Sequence, residues 1–117
     1  MEGNIKNKYC FALDLKNDIK KIQEYKQYHK NVWPQIIESM KKSGINYAEI
    51  YNTRNRLFMI IEVNEHFSID KKSEMDLKNP KVQEWEKLMW NFQESLPNTP
   101  PGTKWVLMDK IFDLSDY

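Results

Sequence analysis

The sequence has few of the residues on which cross-links and phosphate-binding loops depend. Its 117 residues include one cysteine and three glycines. The single cysteine, Cys10, cannot form a disulfide within its own chain, and the first ten residues lack the apolar run of a secretory signal. With three glycines there is no dinucleotide-binding fingerprint, phosphate-cradling loop or nucleophile elbow. We therefore expect a cytoplasmic protein without nucleotide-dependent redox or phosphoryl-transfer chemistry.

The chain also lacks a charge excess and a long apolar run. Its 18 lysines and arginines nearly balance 17 acidic residues, and a net charge of +1 does not indicate a nucleic-acid partner. The longest apolar run, residues 57–61, is strand-sized and far shorter than the roughly 18 residues of a membrane span. We expect no nucleic-acid or membrane partner. A chain below about 150 residues with 40% hydrophobic residues predicts one domain, residues 1–117.

The first half of the chain predicts a strand, a long helix and a hairpin. Residues 9–15 mix aromatic and branched side chains, which favours a strand. Residues 18–43 predict a helix that Pro34 divides and Gly44 ends. Its apolar and aromatic positions recur at spacings of three and four: Ile22, Tyr25, His29, Val32, Trp33, Ile36 and Met40. Two further strands, residues 45–51 and 56–63, flank a polar connection suited to a hairpin.

The second half predicts a helix and a last strand. After a polar loop, Asn79 is a suitable helix cap and Pro80 suits the first helical position, so helix two is expected to run to about Gln93. Residues 104–114 predict the last strand. The order strand, helix, strand, strand, helix, strand is that of an α+β, ferredoxin-like βαββαβ fold, with both helices on one face of an antiparallel sheet.

The unbroken apolar run in strand three predicts a partner for the second face of the sheet. A strand with one face in water alternates apolar and polar residues, whereas residues 57–61 are all apolar. Two such sheets packed face to face, as in dimeric α/β barrels, would bury that second face. We therefore expect a homodimer rather than a monomer with an exposed apolar patch.

Two histidines differ in their setting. His66 follows Glu62 and Glu65, but the spacing matches no established metal-ligand pattern, so we expect a surface loop and no metal site. His29 lies on the apolar stripe of helix one, between Tyr25 and Trp33. A histidine in such a stripe is most often a core residue bonded to a carbonyl, and it becomes an acid/base candidate if a polar cavity lies beneath it.

Strand two and helix two offer polar groups for such a cavity. In strand two, Tyr47, Glu49 and Tyr51 share one face, and Ala48 and Ile50 share the other. If the small apolar pair faces the helices, the first three residues line the opposite face, which either becomes a pocket in the dimer or faces water at a sheet edge. In helix two, Trp85 is either a core residue or a platform for a ligand, and Glu86 is either a surface charge or part of a site. The residues alone leave these alternatives open.

Four segments of the chain carry a more specific pattern. They are EYKQYHKNVWPQI (residues 24–36), SGINYAEIYNTRNRLFMIIEV (43–63), NPKVQEWEKLMW (79–90) and PGTKWVLMDKIFDL (101–114). Together they resemble the L-rhamnose mutarotase family, and most of all its branch associated with L-fucose. The resemblance implies a dimeric ferredoxin-like barrel. It also implies interconversion of the α and β anomers of a 6-deoxy-L-sugar, a monosaccharide, without metal or cofactor.

The resemblance also implies roles for individual residues. The family's acid/base histidine falls on His29, its sugar-contacting tyrosine on Tyr25 and its helix-two tryptophan on Trp85. Where rhamnose-acting members have a second tryptophan, this chain has Glu86, and the family's strand-two tyrosine falls near Tyr47 or its neighbour.

The corresponding hypothesis is ring opening and reclosure. His29 as imidazolium gives a proton to the ring oxygen, and Glu49 or Glu86 takes the proton of the anomeric hydroxyl. Tyr25 and Tyr47 hold hydroxyls, and Trp85 stacks on the sugar. Two other functions stay open at this point: a cofactor-independent monooxygenase of the dimeric α/β barrel type, and a sugar-binding module without catalysis.

Overall fold

The structure, a computed structural model, describes residues 7–117. In chain order the strands are β1 (Lys8–Leu15), β2 (Ile45–Thr53), β3 (Arg56–Val63), β4 (Gln93–Glu94) and β5 (Val106–Leu107). The helices are α1 (Ile19–Tyr28), α2 (Pro34–Lys42), α3 (Ile69–Lys78) and α4 (Pro80–Trp90), and a 3-10 turn covers Leu114–Asp116. Within residues 7–117, no helix is long and apolar enough to span a membrane.

The strands form one antiparallel sheet with β1 and β3 at its centre. The order is β2, β3, β1 and β4, and β5 pairs with a different stretch of the outer edge of β1. Leu13 of β1 lies opposite Leu57 of β3, and Ile60 of β3 lies opposite Glu49 of β2. Along the chain, helices connect β1 to β2 and β3 to β4. This order and the strand order of the sheet confirm the predicted ferredoxin-like fold.

The two faces of the sheet have different surroundings. On the helix face, Leu15 and Leu57 pack against α1, α2 and α4, and Ile61 and Val63 pack around Met40 of α2. Alternation along each strand places the other side chains on the opposite side, which we call the open face. The open face comprises Cys10, Ala12, Phe58 and Ile60 at its centre and Tyr47, Glu49 and Tyr51 along β2.

Specific residues set the ends of the helices. The Asp18 carboxylate accepts hydrogen bonds from two backbone amides at the start of α1, and the Asn79 side chain does the same for α4. Gly44 follows α2 with a φ of 102°, and a Cβ atom there would lie 2.5 Å from Asn64 Oδ1. Glycine is therefore required where the chain turns from α2 into β2.

Helix one is divided as Pro34 predicts. Helix α1 ends at Tyr28 and α2 begins at Pro34. His29 is therefore the C-cap of α1, and it does not lie inside a continuous helix as the apolar stripe indicated. The side chains of the stripe still converge on the helix face because the short connection keeps α1 and α2 on the same side of the sheet.

The second half of the chain differs more from the prediction. The predicted polar loop before Asn79 contains α3, none of whose residues is buried, so it has no apolar stripe to recognise. The predicted helix two corresponds to α4, which ends at Trp90 instead of Gln93. The last strand, predicted over residues 104–114, is limited to Val106–Leu107. Met108 still donates to the Cys10 carbonyl, and the chain then leaves β1, although β1 continues to Lys8.

Candidate functional site

An aromatic cluster surrounds His29 on the helix face. The rings of Tyr25 and His29 are 4.3 Å apart between centroids, and His29 meets the edge of Trp85 at 5.7 Å. The rings of Trp33 and Trp85 also meet edge to face, 5.0 Å apart between centroids. Tyr28 meets Trp85 at 6.3 Å between centroids. The structure thus brings together three of the predicted site residues, His29, Tyr25 and Trp85.

Local structure explains why these side chains meet. Tyr25 and His29 are one helical turn apart at the C-terminal end of α1. Trp33 is the residue before Pro34, which disfavours a helical backbone there and makes Trp33 the N-cap of α2. Trp85 lies on the buried stripe of α4 between Val82 and Met89. The cluster therefore sits where the ends of two helices meet the middle of a third.

The two ring nitrogens of His29 have different environments. Nδ1 lies 2.9 Å from the carbonyl oxygen of Tyr25. A carbonyl only accepts, so Nδ1 donates and carries a proton, which leaves Nε2 for exchange with a ligand. Partial burial lowers the pKa of His29 below its usual 6.5, and the bond to the Tyr25 carbonyl offsets part of this effect. Near pH 7 the ring is neutral, with a lone pair on Nε2.

The Tyr25 hydroxyl is held as a hydrogen-bond donor. Its side chain is buried, and its oxygen accepts a hydrogen bond from Nε2 of Gln93 at 3.3 Å. Burial raises the pKa of Tyr25 to about 12, against the smaller opposite effect of the Gln93 hydrogen bond. The phenol stays protonated at neutral pH. Because Gln93 already donates to the oxygen, the phenolic hydrogen can point toward a ligand.

Gln93 is a functional residue that the sequence pattern does not single out, since the pattern predicts only that helix two ends near it. It lies in β4, opposite Leu15 of β1, and paired residues of a sheet point to the same face. Its side chain is therefore on the helix face beneath Tyr25. The separation of 68 residues between Gln93 and Tyr25 explains the omission, since no local spacing pattern connects them.

Tyr47 and Glu49 lie on the other side of the sheet. The hydroxyls of Tyr47 and Tyr51 donate to the two carboxylate oxygens of Glu49 at 2.5 and 2.9 Å. These hydrogen bonds lower the pKa of Glu49. Tyr47, Glu49 and Tyr51 belong to the open face, and the sheet lies between them and His29. Tyr47 and Glu49 share a face as predicted, and within one protomer the sheet separates them from His29; a pocket that the dimer would make at this face stays a prediction.

Glu86 lies on the helix side but points away from the buried stripe of α4. Its carboxylate pairs with Lys104 at 3.7 Å, and its side chain remains 36% exposed. Lys104 also lies over the ring of Trp90, 5.7 Å from its centroid. Trp85 and Glu86 are consecutive, so they project about 100° apart around the helix. Trp85 enters the cluster, whereas the carboxylate of Glu86 pairs with Lys104.

A groove of about 730 Å³ runs along α1 beside the cluster. It is lined by Lys20, Gln23, Glu24, Gln27, Tyr28, Asn31 and Trp33. It reaches the aromatic cluster only through Tyr28 and Trp33, which both contact Trp85. Polar and aromatic side chains of this kind bind sugars through hydroxyl hydrogen bonds and ring stacking. Tyr28 is a second residue that the sequence did not single out.

The described residues contain no obvious metal centre. Among residues 7–117, no three histidine, cysteine, aspartate or glutamate side chains are grouped as they would be around a metal ion. His66 is exposed, and its backbone amide donates to Asn64 Oδ1 at 2.9 Å. The arrangement around His29 offers side-chain proton transfer, hydroxyl recognition and ring stacking.

Known proteins share both the sequence and the architecture. The family model for L-rhamnose mutarotase matches residues 8–114. An L-fucose mutarotase from Xanthomonas campestris is 38% identical over 92% of this chain and 87% of its own length. An L-rhamnose mutarotase from Mesorhizobium japonicum is 29% identical over 80% of this chain and 86% of its own.

A solved structure agrees with the fold. The crystal structure of an L-rhamnose mutarotase from Formosa agariphila superposes with a TM-score of 0.69 and 21% identity, covering 93% of this chain and 99% of the other. A Dictyostelium discoideum protein of the UPF0734 group is 40% identical over 91% of this chain and 88% of its own length. The family match spans all the strands and helices described above. The chain belongs to the L-rhamnose mutarotase family.

Proposed function

We propose that the protein is an isomerase, a mutarotase that interconverts the α and β anomers of a 6-deoxy-L-sugar. The observation that carries the proposal is His29, whose Nδ1 is fixed on the Tyr25 carbonyl and whose Nε2 is left for proton exchange beside Tyr25 and Trp85. We propose L-fucose as the first choice of substrate and L-rhamnose as the second. Support for this order comes from the similarity to the Xanthomonas L-fucose mutarotase.

Anomer exchange requires one bond to break and form again. The proton leaves the anomeric hydroxyl, the bond between C1 and the ring oxygen breaks, and its electron pair passes to the ring oxygen, which takes up a proton. The open aldehyde then rotates and closes from its other side. The reaction has no net change in atoms or electrons, so it needs no redox partner or cofactor.

The lowered pKa of His29 favours a base-first order of proton transfer. A neutral Nε2 accepts the proton of the anomeric hydroxyl, and the resulting imidazolium delivers a proton to the ring oxygen. This order differs from the hypothesis based on the sequence, in which His29 starts as imidazolium. In either order His29 is the catalytic residue.

Other residues are proposed to bind the sugar. The Tyr25 hydroxyl donates to a sugar oxygen, and Trp85 packs against the apolar side of the ring. Glu86, which follows Trp85 in α4, reads the sugar hydroxyls. We propose that Tyr47 and Glu49 act at the subunit interface instead, because the sheet separates them from His29.

The test is the exchange rate between the anomeric protons of a sugar, measured by saturation-transfer NMR. We expect the wild-type protein to accelerate exchange of L-fucose, and we expect His29→Ala to lower the rate by about 100-fold or more, the usual scale for a positioned acid/base group. His66→Ala is the matched control and should retain the wild-type rate. Unaltered exchange in a folded His29→Ala protein would contradict the assignment.

We also propose that the protein is a single-domain, cytoplasmic homodimer. The open face supports the dimer, since it places Phe58 and Ile60 beside Cys10 without a covering helix. A second copy would bury these side chains as in a dimeric α/β barrel.

Family membership does not favour the two alternative functions, a monooxygenase and a sugar-binding module without catalysis. Oxygen uptake with a quinol substrate would reveal a monooxygenase.

A further inference from the structure

Tyr28 is next to His29 in the chain and contacts the same tryptophan. Tyr28 is the last residue of α1 and His29 is its C-cap. Both rings meet Trp85 edge to face, with interplanar angles of 87° for Tyr28 and 68° for His29. Consecutive helical residues project about 100° apart, so the two side chains reach Trp85 from different directions. A sugar that lies on Trp85 and exchanges a proton with His29 is therefore within reach of Tyr28, on a different side.

The Tyr28 side chain combines a fixed ring with an unoccupied hydroxyl. Its ring packs on Phe92, 5.7 Å away between centroids, as well as on Trp85. Within residues 7–117, the Tyr28 hydroxyl makes no hydrogen bond, whereas the oxygen of Tyr25 is bonded to Gln93. Tyr28 is 36% exposed, against 3% for Tyr25. The Tyr28 hydroxyl can therefore bind a solute without first breaking a hydrogen bond within the protein.

The groove along α1 makes Tyr28 accessible from solvent. Tyr28 and Trp33 line the groove, and both also contact Trp85. Trp85 itself is only 8% exposed. A solute in the groove thus meets Tyr28 before it meets Trp85. The Tyr28 hydroxyl lies where the aromatic cluster and the groove join.

The proposed reaction fixes the orientation of the sugar relative to His29. Nε2 must reach both the anomeric hydroxyl and the ring oxygen, and both of these oxygens are bonded to C1. C4 lies across the ring from C1, and C3 is the neighbour of C4. A side chain that approaches from a different direction than His29 therefore faces the C3 and C4 side of the sugar.

We propose that Tyr28 is a specificity-determining residue whose hydroxyl hydrogen-bonds to the hydroxyl on C3 or C4 of the sugar. The inference rests on the proposed function and deepens it by naming the part of the sugar that is recognised. A tyrosine hydroxyl both donates and accepts, so it pairs with a sugar hydroxyl in either direction. A site that bonds a substrate hydroxyl discriminates against analogues that lack it.

Tyr28→Phe tests the hydroxyl alone, because the ring that packs on Trp85 and Phe92 is retained. We expect KM for anomer exchange of L-fucose to rise about 3- to 10-fold, the scale of one hydrogen bond between uncharged groups. The kcat should stay at the wild-type value, since a contact remote from C1 is equally strong in the bound and the transition state. An unchanged KM would overturn the proposal.

Tyr117→Phe is the matched control. It removes the hydroxyl of a tyrosine that is 90% exposed, and it should leave both kcat and KM at the wild-type values. His29→Ala provides the opposite pattern, because loss of the acid/base group lowers kcat. A fall in kcat without a rise in KM in Tyr28→Phe would contradict a role in recognition.

Sugars that lack one hydroxyl identify the group that Tyr28 binds. L-fucose derivatives without the hydroxyl on C2, C3 or C4 are compared in the wild type and in Tyr28→Phe. The derivative that lacks the recognised hydroxyl should have the same KM with both proteins, and the other two should retain the difference. Equal KM values for the C3 or the C4 derivative support the proposal. Equal values for the C2 derivative alone, or for none of the three, would overturn it.

Binding measurements separate the failure of this inference from that of the proposed function. Calorimetric titration with L-fucose, and with L-rhamnose in parallel, gives a Kd that does not depend on turnover. If the wild type binds a sugar without exchanging its anomers, the proposed function is wrong, and a raised or unchanged Kd in Tyr28→Phe still decides the role of Tyr28. If exchange is fast and neither KM nor Kd changes, the role of Tyr28 is wrong and the function stands. A wild type that neither binds nor exchanges either sugar contradicts both.

Discussion

His29 illustrates how one backbone contact fixes the chemistry of a side chain. The Tyr25 carbonyl holds the proton on Nδ1, so a neutral ring must have its lone pair on Nε2. Burial then keeps the ring neutral at a pH where an exposed histidine is partly charged. The residue is therefore prepared to accept a proton before it donates one.

This state of His29 predicts the pH dependence of the proposed reaction. Because the pKa of His29 is below 6.5 and the neutral form is active, kcat/KM should be at its plateau at pH 7. It should decline only on acidification below pH 6.5, as Nε2 becomes protonated in the free enzyme. The measurement is anomer exchange of L-fucose between pH 4.5 and 8.5.

His66→Asn is the control, since His66 is exposed and outside the cluster. It should leave the pH profile unchanged. A rate that rises as the pH falls from 7 to 5 would mean that imidazolium is the active form.

Glu86 is predicted to contribute to the choice between sugars. A carboxylate accepts several hydroxyl hydrogen bonds, whereas an indole packs or donates one. Glu86→Trp should therefore slow exchange of L-fucose more than that of L-rhamnose. The expected difference is about 1 to 3 kcal/mol, the cost of an unpaired buried hydroxyl. The two exchange rates in the wild type and the variant provide the measurement.

Glu84→Trp is the matched control, because Glu84 is an exposed acidic residue of the same helix. It should affect both sugars little. An equal loss for both sugars in Glu86→Trp would assign Glu86 a structural role through its pair with Lys104.

At the scale of single residues, prediction from the sequence succeeds where contacts are local. Tyr25 and His29 are one turn apart, and the spacing alone shows that their side chains are neighbours. Gln93 was missed because its hydrogen bond to Tyr25 crosses the whole fold. The placement of Glu49 shows a further limit: alternation showed which residues share its face, whereas the prediction that this face is opposite the helices depended on the assumption that Ala48 and Ile50 face them.

At the scale of elements, the ends of helices are predictable because capping groups are local. Asn79 and Pro80 correctly marked the start of α4, and Pro34 the start of α2. Helix α3 was missed because it buries no residue and so has no apolar periodicity. The last strand was overestimated because strand propensity does not reveal where a chain stops following its neighbour: β1 extends to Lys8, yet strand pairing ends at Leu107.

The cap at Asn79 provides an element-scale prediction. Its side-chain oxygen accepts from the amides of Lys81 at 3.0 Å and Val82 at 3.3 Å. Asn79→Ala removes both bonds and should lower the free energy of unfolding by about 1 kcal/mol, the typical value of an N-cap. Urea denaturation provides the measurement. Asn79→Ser retains a capping oxygen and should lose less, so an equal loss in the two variants would contradict the capping role.

At the scale of the whole molecule, the sheet has one face covered by helices and one left open. Ile60→Asp places a charge at the centre of the open face, and burying an unpaired charge in a dimer is costly. We expect this variant to sediment as a folded monomer, with the 14.2 kDa mass of one chain. Ile37→Asp, on the outer side of α2, should leave the mass of the wild type unchanged. A dimeric Ile60→Asp protein would place the interface elsewhere.

Cys10 gives the open face a built-in chemical reporter. It is the only cysteine of the chain, it is partly exposed, and alternation along β1 places it on the open face opposite Ile60. A disulfide reagent reaches its sulfur only while that face is uncovered. The labelling rate of the unmodified protein should therefore fall as protein concentration rises, with a midpoint equal to the dimer dissociation constant. A rate independent of concentration would mean that association leaves this thiol in water.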